Sequence, residues 1–169
     1  MPNASSRALT IEQALALLEA TPPRLAALTE SLTPAQLLTA PGQNEWSAND
    51  VLAHLRACAD MWGKYIMAML AEDRPTLRAV NPRTWIEQTN YRELEFRFSL
   101  QAFAAQRAEL LAVLKPLSPD GWARSAIVTG AGKPLTLTVL SYAQRLARHE
   151  RPHVKQIERI GATLNPGHE

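Results

Sequence analysis

RHERPHVKQIERI, residues 148–160, is the stretch on which the reading of this chain turns. Its first half, HERPH (149–153), fits H-E-x-x-H, and on a helix that spacing puts both imidazoles on one face, a turn apart. Two imidazoles so placed suit a single transition metal. Solvated histidines on an exposed face are the plain alternative, and the pair alone does not separate the two. The apolar spacing predicts a helix from about Thr136 or Thr138 to Ile160, closed by Gly161, with ATLNPGHE (162–169) as a tail.

A zinc protease with this motif needs a third ligand downstream. Its H-x-x-G-x-x-H extension requires Gly and His where this chain has Gln156 and Arg159, and a glutamate some tens of residues later would lie past Glu169. Pro152 also falls inside the turn that must be regular. It removes the N–H owed to the Arg148 carbonyl, a loss of about 3 kcal/mol in a regular helix interior. The protease reading fails. Of the four histidines, His168 sits in a Pro-Gly tail, which leaves His54 as an upstream partner for His149 and His153. A lone histidine on the stripe Val51, His54, Leu55, Cys58 is more often a core residue than a ligand. A helical bundle that joins the two segments could instead complete a three-histidine site with an open position.

The remaining pattern predicts such a bundle. Thr10 and Gln13 form a capping box ahead of Ile11, Ala14, Leu15 and Leu18, and Pro22-Pro23 predict a kink or short break before Leu25, Leu28 and Leu32. Thr33 caps a short helical piece with Pro34 at its first position. Ser47 caps a second long helix reaching about Ala71, with Asp50 supporting its N-terminus. EDRPTLRAVNPRTW (72–85) reads as a polar connection. A third helix is predicted over 87–115, with Leu94, Phe98, Ala102, Ala105 and Leu111 inward. Ile127–Thr129 and Leu135–Leu137 flank a Gly-rich turn, which fits a small hairpin or an extended loop equally.

Composition sets limits. With 169 residues, 46% of them apolar, the chain reads as one domain (1–169, core about 10–161, with 1–9 and 162–169 as tails). The formal charge of +2 argues weakly for nucleic acid. A single cysteine, Cys58, excludes an internal disulfide and a cysteine-based zinc cage. No apolar run approaches membrane-spanning length and no leader pattern opens the chain, so a cytoplasmic location is expected.

EWSANDVLAHL (45–55), a Trp-Ser opening before a histidine-bearing helix, and RHERPHVKQIERI together resemble the DinB/YfiT-like superfamily of bacterial metalloproteins. TPPRLAALTESLTPAQL (21–37) resembles that family's approach to the first motif, and the likeness runs from about Leu15 to Ile160. The resemblance implies an all-α, four-helix bundle in up-down-down-up order, often dimeric. It implies one divalent metal on His54, His149 and His153, zinc or nickel first and iron or copper next. It also implies a small-molecule substrate handled by transfer or hydrolysis through an activated low-molecular-weight thiol or water. Pro152 departs from what the family resemblance would lead one to expect and bears on the angle between the last two ligands.

Other residues carry weaker readings. Tyr65, Met61 and Tyr142 fall on the histidine-bearing faces and are pocket candidates, against a packing role. Glu150 points about 100° away from His149 on a regular helix, which favours a solvated carboxylate over a site residue. Trp46 and Trp62 read as structural anchors and Cys58 as a small hydrophobe. Arg145, Arg148, Arg151, Lys155 and Arg159 form a flank that nucleic acid or an anion could use, though a solvated outer face is the simpler reading. A metal-binding module without catalysis is the remaining alternative.

Overall fold

The computed structural model describes residues 8–167, so His168 lies outside the described residues. In chain order the elements are α1 (Ile11–Thr29), α2 (Pro34–Leu37), α3 (Ala48–Ala71), β1 (Thr76–Arg78), α4 (Pro82–Trp85), α5 (Phe96–Leu114), α6 (Pro119–Ala123), β2 (Ser125–Thr129), β3 (Leu135–Thr138) and α7 (Val139–Leu164). Side-chain caps set most of the starts. Thr10, Thr33, Ser47 and Thr138 each accept from the backbone three residues on and are answered by Gln13, Gln36, Asp50 and Ser141.

The four long helices α1, α3, α5 and α7 form the bundle, and their cross-contacts fix its order. Gln144 donates to the Leu9 carbonyl and Arg24 faces Glu158, so α1 and α7 run parallel. Arg97 reaches Thr29 while Arg107 reaches Leu18, so α5 runs against α1. Arg56 to Ser99 and Gln106 to Asp60 make α3 and α5 parallel. This is the up-down-down-up arrangement. Successive long helices α1 and α3 sit on a diagonal, and each packs on α5 and α7 instead. Leu18, Leu25, Leu52, Leu55, Ile66, Phe103, Leu114, Leu146 and Ile157 fill the centre.

The helix α1 runs on through Pro22-Pro23, so of the kink or short break expected there the break is absent. Proline at 22 removes the N–H that the Leu18 carbonyl would accept. The buried Arg107 guanidinium donates to that oxygen at 2.8 Å, so a side chain from another helix repairs the ladder. Pro23 faces solvent, where the freed Glu19 carbonyl has water within reach. Pro152 is tolerated inside α7 on its exposed side in the same way.

The third long helix begins at Phe96, not 87, because Glu95 caps it through Arg97 N and Phe98 N; tight turns occupy 86–93. Its inward face also differs. Phe98 is 57% exposed and Ala105 is exposed, while Phe96, Leu100, Phe103, Arg107, Leu110 and Leu114 are buried. A buried arginine in the true stripe makes a neighbouring stripe look more apolar. The hairpin is present, with β2 antiparallel to β3 (Ala126 opposite Leu137), and Gly130 turns the chain at φ +88°. The connection 72–85 hides a third strand: β1 pairs parallel to β2, Leu77 opposite Val128. Three residues between prolines carry too little pattern to announce a strand. Finally, α7 runs through Gly161 to Leu164, so 162–164 is helix and not tail; the Leu164 carbonyl accepts from Gln36.

Candidate metal centre

Two helices that meet antiparallel supply the three histidines. Ser47 starts α3 so that His54 falls in its second turn, and α7 brings His149 and His153 opposite. One ring nitrogen from each lies within 4.8 Å of the others, and the ring centroids are 4.8–4.9 Å apart. Nε2 of His54 and Nε2 of His149 approach to 2.9 Å. Two bare lone pairs would repel at that distance, so a proton or a cation between them is required. Tetrahedral zinc with bonds of about 2.0–2.1 Å would set nitrogens roughly 3.3 Å apart. The His54–His149 pair stands slightly inside that spacing, and three imidazole nitrogens within 4.8 Å of one another are a donor set suited to a transition ion.

Burial keeps the His54 and His149 rings neutral, as ligation requires. Desolvation, then the neighbouring His153, then the cations Arg83 and Arg92 hold His54 down to about 4. Desolvation followed by His153 and His54 holds His149 down to about 3. Nδ1 of His153 lies 3.0 Å from Oε1 of Gln156, which acts as its acceptor and leaves Nε2 as the free lone pair. Nδ1 of His149 is buried with no hydrogen-bond partner.

Aromatic rings wall the cluster. Trp46 stacks on His153 at 6.4 Å and tilts against His54 at 5.2 Å, while Trp62 sets its edge to His149 at 5.0 Å. The two tryptophans therefore serve the histidines directly rather than as remote anchors. Beneath them Cys58 is fully buried, its Sγ 3.8 Å from Nε2 of His54. Burial first, and the Glu150 carboxylate second, push its thiol up to about 12. It stays a neutral thiol, in keeping with a packing role. Above the histidines opens a cleft of about 1100 Å³.

The pocket candidates fare differently. Tyr65, Tyr142 and Met61 do not line that cleft. Tyr65 and Tyr142 meet edge to face at 5.5 Å, the Tyr65 hydroxyl bonds the Arg78 carbonyl, and Met61 is buried in the core. Glu150 is not solvated: it is 1% exposed and takes both forks of Arg107 in a buried ion pair. Helix geometry turned it away from the histidines correctly, but the side it turned to is core. Sequence reading missed Gln156, Arg83 and Arg92 at the cleft; only Gln156, three residues past His153, carried a local signal. Of the basic flank, Arg145 lies over Trp62 and Tyr142, and Arg159 lines the cleft.

The architecture is shared. YfiT from Bacillus subtilis, described as "a probable metal-dependent hydrolase with an unusual four-helix bundle topology", superposes with a TM-score of 0.77 at 20% identity, over 97% of this chain and 93% of that one. No curated protein sequence matches significantly. No helix among the described residues is long and apolar enough to cross a membrane. The family model described as the DinB superfamily matches residues 17–157, which take in all three histidines: the chain belongs to the DinB superfamily.

Proposed function

We propose that this chain is a metal-dependent enzyme that holds one divalent transition ion on His54, His149 and His153 and acts on a small molecule by transfer or hydrolysis. The observation that carries the reading is the convergence of three imidazoles, from two antiparallel helices, on one open cleft. When bound there, such an ion supplies Lewis acidity and lowers the pKa of a coordinated water or thiol toward neutrality. The chain's own contributions are separate. Burial keeps His54 and His149 unprotonated, Gln156 orients His153, and Trp46 and Trp62 keep bulk water from the sides of the rings. The description of YfiT as a hydrolase supports the hydrolytic form, and a low-molecular-weight thiol as co-substrate belongs to the same reading. So does the homodimeric, cytoplasmic form that the family resemblance implies. The open cleft favours this reading over a module that stores or senses metal without catalysis, whose fourth position would be blocked.

Elemental analysis of purified protein beside His54→Ala and His149→Ala tests it. The expected result is about one equivalent of transition metal, absent from both variants. Metal-free protein that also rejects zinc and nickel would end the enzyme reading. Gln156→Leu makes a finer prediction: metal affinity, measured by competition with a chelator, drops about 10–100-fold while the fold is retained. Unchanged affinity would remove Gln156 from the site.

A further inference from the structure

The walls of the cleft carry charge that holding an ion does not call for. Arg83 from α4, Arg92 from the turn before α5 and Arg159 from α7 all line it, against Glu45 and Glu87. Arg92 is a fixed cation: its Nε lies 3.4 Å from Asp50 and its guanidinium 5.8 Å over Trp46. Arg83 and Arg159 pair with no carboxylate among the described residues. Glu45 folds over Gly42 of its own loop. Three arginines against two glutamates leave the cleft one positive charge in excess. Arg83 and Arg159 are exposed side chains on the wall of a concave site, and guanidiniums so placed bind oxyanions through paired N–H groups.

We propose that the cleft selects a small molecule bearing an oxyanion, a carboxylate or a phosphate, bound by Arg83 and Arg159, with Arg92 as a standing third cation. This deepens the proposed function and rests on reading the cleft as the substrate site. The geometry assigns the division of labour: the histidines converge within the cleft, and the arginines come from three separate segments around them. A neutral substrate would leave the two unpaired guanidiniums unused and would gain nothing from the local field.

Calorimetric titration at low ionic strength, on metal-free and zinc-loaded protein, tests it with succinate, inorganic phosphate and neutral succinamide. Both protein forms should bind at least one anion well above succinamide. Arg83→Gln and Arg159→Gln should each weaken that binding about tenfold or more, the weight of one charge-assisted contact, with zinc content unchanged. Whether succinate or phosphate binds more tightly identifies a carboxylate or a phosphate as the group read. Succinamide binding as well as the anions, no anion binding at all, or variants with unaltered affinity would overturn the proposal. Anion binding that depends on the arginines in a protein that takes up no zinc would uphold it while the metal reading fails.

Discussion

Arg107→Met is expected to cost about 3–5 kcal/mol of stability, read as a lowered urea midpoint in metal-free protein. The change leaves the Glu150 carboxylate, 1% exposed, with no cation beside it, and strips the Leu18 carbonyl of its donor. Each loss is a buried polar group without a partner. Arg107→Met combined with Glu150→Met should recover most of the deficit, since an apolar pair of similar volume replaces a buried ion pair at little cost. The Leu18 carbonyl would still lack a partner, worth about 1–3 kcal/mol. Pro22→Ala restores the missing N–H and should return that remainder in chains that lack Arg107, and not in the unsubstituted chain, where the carbonyl is already served. A loss under about 1 kcal/mol in Arg107→Met would be in the range of an ordinary surface change, and would mean that the ion pair and the repaired helix bond do not hold α1, α5 and α7 together.

Acid should destabilise the metal-free protein well before its carboxylates titrate. His54 and His149 ionise near 6.5 in an unfolded chain but are held to about 4 and about 3 in the fold, by burial first. Between those limits the unfolded chain binds protons that the native state refuses, so stability rises with pH there. The contribution is complete above about 6.5 and is lost as pH falls toward 4 and then 3. One unit is worth 1.36 kcal/mol; with screening by the open cleft, the pair should forfeit on the order of 3 kcal/mol between pH 7 and pH 4. Urea midpoints measured against pH in the presence of a chelator would show the slope, and His149→Leu should flatten it. A level profile in the unsubstituted protein would mean that both rings protonate as freely as in the unfolded chain.

Much of the fold was legible because its signals are local. Thr10, Thr33 and Ser47 each announce a helix through a partner three residues on, and the Val51–Met69 stripe keeps one period throughout. The His149–His153 pair was legible because the two share one helical face, while His54, on an apolar stripe that reads equally as core, joined them only through the family resemblance. What stayed hidden depends on partners distant in sequence. Pro22 signals a break until Arg107, far along the chain, supplies the missing donor. Arg107 and Glu150 each look like surface residues alone, and only their meeting allows both inside. Their burial in turn disguised the inward face of α5, and it reversed the expectation for Glu150. Arg83 and Arg92 had no local signature, and Arg159 was visible only as one member of the basic flank of α7; the cleft that gathers them is formed by segments distant in sequence.

The diagonal placement of α1 and α3 has a consequence for how the molecule comes into being. As the chain leaves the ribosome, these two helices appear in succession, yet they are not packing partners. Each must wait for α5 and then α7, the final element, which covers α1 and α3 together. Nascent chains halted before Val139 would carry Leu18, Leu55 and Ile66 with one wall of the bundle missing. Such an intermediate exposes apolar surface until α7 docks, which makes it a natural client for holding chaperones.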